Sequence, residues 1–80
     1  MPAKKTYQLT LKFPDGKVTV YRHAFPTRRR AAQAAYYALV DNHAANSNID
    51  AAEFASKLQD APLGTALEHP SGYTFTIEAR

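Results

Sequence analysis

Eighty residues, 8.9 kDa and a formal charge of +3 suit one domain built around one hydrophobic core. A hydrophobic content of 45% with 21% charged residues excludes a disordered or collagen-like chain. The absence of cysteine excludes disulfides, zinc–thiolate sites and thiol nucleophiles, and no apolar run reaches the ~18–20 residues of a bilayer-spanning helix.

No secretory hydrophobic stretch follows Met1, so the expected location is the cytoplasm, and Met1 to Lys5 reads as a polar leader that frays. From Tyr7 the apolar residues alternate: Tyr7, Leu9, Leu11 and Phe13 are separated by Gln8, Thr10 and Lys12, the period of a half-buried strand. Pro14-Asp15-Gly16 supplies a turn, and a second strand is expected from Val18 to about His23. Pairing Phe13 with Val18 sets Leu11 against Val20 and Tyr7 against Ala24. That register leaves Gln8, Thr10, Lys12, Thr19, Tyr21 and His23 on an open face.

Phe25-Pro26 breaks the strand and Thr27 can cap a helix. The alanine-rich stretch from Arg28 to about Ala45 predicts that helix, with Ala32, Ala35, Tyr36, Leu39 and His43 on its inward side and Asn46-Ser47-Asn48 ending it. Tyr37, next to Tyr36, then points outward. A second helix is expected with Asp50 as cap, Glu53 completing a capping box and Ile49 stapled to Phe54. Phe54, Ala55 and Leu58 form its inward stripe and Pro62 stops it. Thr65 to His69 reads as a short strand, Pro70-Ser71-Gly72 as a turn, and Tyr73, Phe75 and Ile77 as the apolar positions of a closing strand. His69 would pair with Tyr73 and Leu67 with Phe75. The sum is an α+β domain over 1–80: an antiparallel sheet of three or four strands, β-β-α-α-β-β, with two helices on one face.

Residues that could carry chemistry are sparse. His23, His43 and His69 lack metal-ligand spacing, although His23 and His69 both fall near strand ends. Ser47, Ser56 and Ser71 are not in a nucleophile-elbow setting, Asp50 and Glu53 are accounted for as caps, and no glycine-rich phosphate loop is present. These readings point to a non-catalytic protein without metal or cofactor.

The charge is uneven. Residues 1–30 hold eight cations against Asp15 alone, a formal +7, whereas residues 31–80 hold Lys57 and Arg80 against six carboxylates, a formal −4. Arg28-Arg29-Arg30 open the first helix, where the macrodipole disfavours cations by about a few tenths of a kcal/mol each. That placement suits contact with an anionic partner, the alternative being a solvated charge run. Tyr37 is a candidate interface anchor, and Lys12, Tyr21 and Arg22 join the arginines as partner-binding candidates.

The hairpin Leu9-Thr10-Leu11-Lys12-Phe13-Pro14-Asp15-Gly16, the alanine-rich helix after Thr27 and the closing strand Tyr73-Thr74-Phe75-Thr76-Ile77 are together similar in layout to small single-domain anti-CRISPR proteins of phages and mobile elements. The resemblance implies an inhibitor that binds a CRISPR effector subunit or complex and blocks target-DNA binding or nuclease recruitment. It carries no site residue over. DNA-mimicking inhibitors of that kind are acidic and this chain is basic, which favours a protein partner with an acidic surface. Direct nucleic-acid binding through Lys12, Lys17, Arg22 and the arginine run is the second expectation.

Overall fold

The computed structural model describes residues 6–79; the expected polar leader and Arg80 lie outside the described residues. Alternation in the first and last strands drives the architecture. β1 (Tyr7–Lys12) and β4 (Thr74–Ala79) are the central pair, antiparallel from Tyr7 opposite Ala79 to Lys12 opposite Thr74. β2 (Val18–Val20) flanks β1 and β3 (Ala66–Glu68) flanks β4, giving the antiparallel order β2-β1-β4-β3. α1 (Arg28–Asp41) and α2 (Asn48–Asp60) pack on each other and on one sheet face, completing the α+β order expected from the sequence. No helix of the described residues is long and apolar enough to cross a membrane.

The inward residues Leu9, Leu11, Phe75 and Ile77 meet the alanine face of α1 and Phe54 and Leu58 of α2. Phe75, Leu9, Leu39 and Leu58 are the largest fully buried side chains, each worth about 1.5–3 kcal/mol over exposure. Small residues on α1 (Ala31, Ala32, Ala35 and Ala38, all buried) let the helix lie close to the sheet.

The β3–β4 register is the expected one: Leu67 opposes Phe75, and the His69 N–H donates to the Tyr73 carbonyl at 2.7 Å. The β1–β2 register is shifted by one residue from the expected one, with Lys12 opposite Val18 and Leu11 opposite Thr19. Phe13 donates to Lys17, and Gly16, at φ +95°, donates back to Phe13, so the loop has three residues rather than four. Thr19 and Tyr21 therefore share the helix-side face with Leu11 and Leu9. Val18 and Val20 stand with Lys12 and Thr10 on the open face, 59% and 48% exposed. The strand ends at Val20 and the chain rejoins β1 only at an isolated bridge between Phe25 and Tyr7.

Both helices also differ at one end. α1 stops at Asp41 because a Schellman closure forms: His43 at φ +52° donates to Val40, and Ala44 donates to Leu39. His43 is thus an exposed cap residue and not part of an inward stripe. α2 begins three residues early. Ser47 is its N-cap and accepts from Asp50 N–H at 3.1 Å, while the Asp50 carboxylate reaches back to Asn46 N–H at 3.3 Å. The cap is Ser47 with Asp50 reaching one residue past it, not an Asp50–Glu53 box, and Ile49 is 72% exposed rather than stapled to Phe54.

Candidate cleft between the second strand and the first helix

Helix α1 rests on β1 and β4 rather than on β2. The overhang leaves a cleft of about 670 Å³. Leu11, Phe13 and Tyr21 line its sheet side, Arg22 stands at the strand end, and Ala34, Tyr37, Ala38 and Asp41 form the helix wall. A second cleft of about 300 Å³ shares Ala34 and Tyr37 with the first and extends it to Phe25, Pro26, Gln33 and Arg30. The helical wall is periodic: Arg30, Ala34, Tyr37 and Asp41 recur every three or four residues on one flank of α1. That spacing is a sequence signal for this face. The opposite wall depends on β2, whose register differs from the one the sequence pattern suggests.

Four of the candidate residues converge here. Tyr21, Arg22 and Tyr37 line the larger cleft, and Arg30 joins Tyr37 at the smaller. Tyr21 is half-buried against Phe25, with ring centroids 5.8 Å apart, and not on the open face where the expected register put it. Burial raises the pKa of its phenol above the ordinary value, and the charge of Asp41 adds to the effect. Tyr37 is 52% exposed and its ring meets Tyr36 edge-on at 5.2 Å. Arg22 and Arg30 are exposed, and among the described residues neither pairs with a carboxylate. Among the described residues Asp41 is the one carboxylate on the lining of either cleft.

The other candidates separate. The Arg28 guanidinium turns away and donates to the carbonyl of Ala61, the C-cap of α2, while its Nε is buried with no partner among the described residues. A cation at that helix end is favoured, which offsets its unfavourable seat at the start of α1. Arg28 is therefore a structural clamp rather than a free contact. Arg29 is exposed and lines one groove with Tyr36 and the α2 residues Ser56 and Gln59 and another with Arg30 and Gln33. Lys12 is exposed on the open face, away from both helices. Arg29 and Arg30 thus share a surface, and Lys12 and Arg28 stand apart from it.

His69 does not meet His23, which is exposed. It is 4% exposed and packs edge-on against Phe54, with centroids 5.1 Å apart. Its Nδ1 accepts from Ser71 N–H at 3.1 Å and contacts Ser71 Oγ at 2.7 Å, while Nε2 contacts Asp50 Oδ2 at 3.0 Å. Accepting at Nδ1 assigns the proton to Nε2, which donates to Asp50. The line Ser71–His69–Asp50 has the order of a nucleophile relay, yet the ring nitrogens are taken up in holding the Pro70-Ser71-Gly72 turn to the start of α2. His69 and Ser71 line neither cleft. Among the described residues no three His, Asp or Glu side chains converge as metal ligands. Comparison with protein-family models, curated proteins and solved structures finds no significant match.

Proposed function

We propose that the protein is a non-catalytic binding module that acts by occlusion, seating the β2–α1 cleft on an acidic segment of a protein partner. The observation that carries this reading is the convergence of Tyr21, Arg22, Arg30 and Tyr37 around two adjoining, largely apolar clefts, with neither guanidinium paired to a carboxylate among the described residues. Tyrosine and arginine are the residue types that dominate interface energetics, and free guanidinium groups steer an anionic partner into register. Nucleic acid is the weaker reading because Lys12 lies on the open sheet face and Arg28 is engaged at Ala61, which leaves Arg29 and Arg30 as the arginines of the run that share a surface, fewer than the phosphate contacts a duplex requires.

The resemblance of the sequence to small anti-CRISPR proteins makes a CRISPR effector complex the first partner to test. Purified effector complexes of several types are mixed with excess protein, and capture of a labelled target duplex is measured. One effector is expected to lose DNA binding, and Arg22→Glu/Arg30→Glu is expected to restore it without changing the thermal melt. Undiminished capture by every effector overturns the effector assignment. Direct binding of the protein to the duplex, with log affinity falling against log salt at a slope near −4 to −5 for ~5 phosphates, overturns the protein-partner reading.

A further inference from the structure

Antiparallel ladders alternate, and here the alternation decides which backbone groups are free. Phe13 donates to Lys17 and Tyr21 donates to Leu9, at 2.8 and 3.0 Å. Lys17, Thr19 and Tyr21 are therefore the residues bonded to β1, and Val18 and Val20 direct their N–H and C=O groups away from it. Among the described residues no strand pairs with that side of β2. The edge is protected by its three-residue length alone: Val18–Val20 contains no proline, no bulge and no charge, and both valines are exposed.

We propose that β2 is a docking edge on which an extended, acidic segment of a partner protein adds to the sheet as a further strand. The inference rests on the binding-module reading and gives it a mode. A strand added ~4.8 Å beyond β2 carries alternate side chains on the helix side, at the mouth of the cleft above Tyr21 and across from Tyr37. Backbone bonds to Val18 and Val20 supply attachment, and an apolar side chain entering the cleft supplies selectivity. Charge sets the partner's sign. Lys17 and Arg22 bracket the strand and Arg30 stands along the continuation of the cleft, against Asp41 and Asp15, whose carboxylate accepts from the Lys17 N–H, so the cations are in excess. A segment alternating acidic with apolar residues matches both the ladder and the rim.

The probe is an acetylated, amidated Glu-Val-Glu-Val-Glu-Val-Glu peptide, titrated into the labelled protein while backbone amide resonances and amide exchange are followed. Val18 and Val20 amides are expected to shift and to gain protection. The Lys-for-Glu peptide and a peptide N-methylated at alternate residues are expected to bind at least about tenfold more weakly, the scale of one lost interaction. Val20→Pro removes one outward N–H without touching the β1 ladder and is expected to cause a similar loss with a retained fold. Should that variant misfold, the N-methylated peptide tests the same backbone bonds on the unaltered protein. Shifts confined to Arg30, Ala34 and Tyr37, with Val20→Pro and the N-methylated peptide binding equally well, overturn strand addition and leave the acidic-partner reading standing. No binding at millimolar peptide also overturns strand addition, whatever the effector assay shows. Preferential binding of an oligonucleotide overturns both.

Discussion

The guanidinium of Arg28 donates to the carbonyl of Ala61 and so ties the first turn of α1 to the last turn of α2. Arg28, Arg29 and Arg30 are adjacent in sequence yet unequal in role. Arg28→Ala is expected to cost about 1.5–3 kcal/mol, the range for a hydrogen bond from a charged group. Arg29→Ala and Arg30→Ala, at exposed positions, are expected to stay within about 0.5 kcal/mol. Urea unfolding of the three variants checks this, and equal losses would refute the clamp.

His69 joins the β3–β4 turn to the N-terminus of α2 through Asp50 and Ser71. Removing a buried, satisfied side chain leaves its partners unpaired, so His69→Ala is expected to cost about 1–3 kcal/mol. Ser71→Ala is expected to cost less, because the backbone N–H bond to Nδ1 survives. A double-mutant cycle on His69 and Asp50 should return a coupling of about 0.5–3 kcal/mol. Additive losses would show that the contact contributes nothing beyond packing on Phe54.

The two turn glycines provide an internal control. Gly16 and Gly72 both have positive φ, +95° and +99°. A Cβ on Gly16 meets open space, whereas one on Gly72 would stand 3.0 Å from Pro14 Cβ. Gly16→Ala is expected to cost about 1–2 kcal/mol from backbone strain alone. Gly72→Ala is expected to cost more, because the two turns must part. Calorimetric melting temperatures in the opposite order would contradict the contact.

Stability should fall at alkaline pH through Tyr21. Its phenol is raised above the ordinary value near 10 in the folded state, mainly by burial and further by Asp41. Between the unfolded and folded values the unfolded chain releases a proton that the folded chain retains. The contribution is therefore complete below about pH 10 and is lost as pH rises through the folded value. Tyr21→Phe is expected to flatten that alkaline loss and to remove one upward-shifted phenolate step from the ultraviolet titration. An unchanged titration would refute the assignment.

Much of this fold is legible in short-range chemistry. Alternation marks β1 and β4, Thr27 marks the start of α1 by accepting from Arg30 N–H, and the tight turn before Tyr73 sets the β3–β4 register. The departures from expectation share a cause: local signals are degenerate and a distant contact decides between them. Ser47-Asn48-Ile49-Asp50 and Asp50-Ala51-Ala52-Glu53 both have cap spacing, and Asp50 sits at the third helical position, where it can also meet His69. Val18 and Val20 have the character of core residues, but they lie on an edge strand beyond the helices. The three-residue loop closed by Gly16 governs their register. Of the candidate site, the helical wall is readable from Arg30 and Tyr37. The clamp role of Arg28 is not, because its acceptor is a backbone carbonyl far along the chain.

The central seam has a kinetic consequence. Each hairpin joins neighbours in sequence, but β1 and β4 bring Tyr7 across from Ala79, so the middle of the sheet cannot zip until nearly the whole polypeptide has been gathered. Closing so long a loop costs entropy before any ladder bond rewards it. The helical pair, held by Arg28, is the natural scaffold on which that closure occurs. The joining of the two sheet halves should accordingly come late in folding and limit its rate.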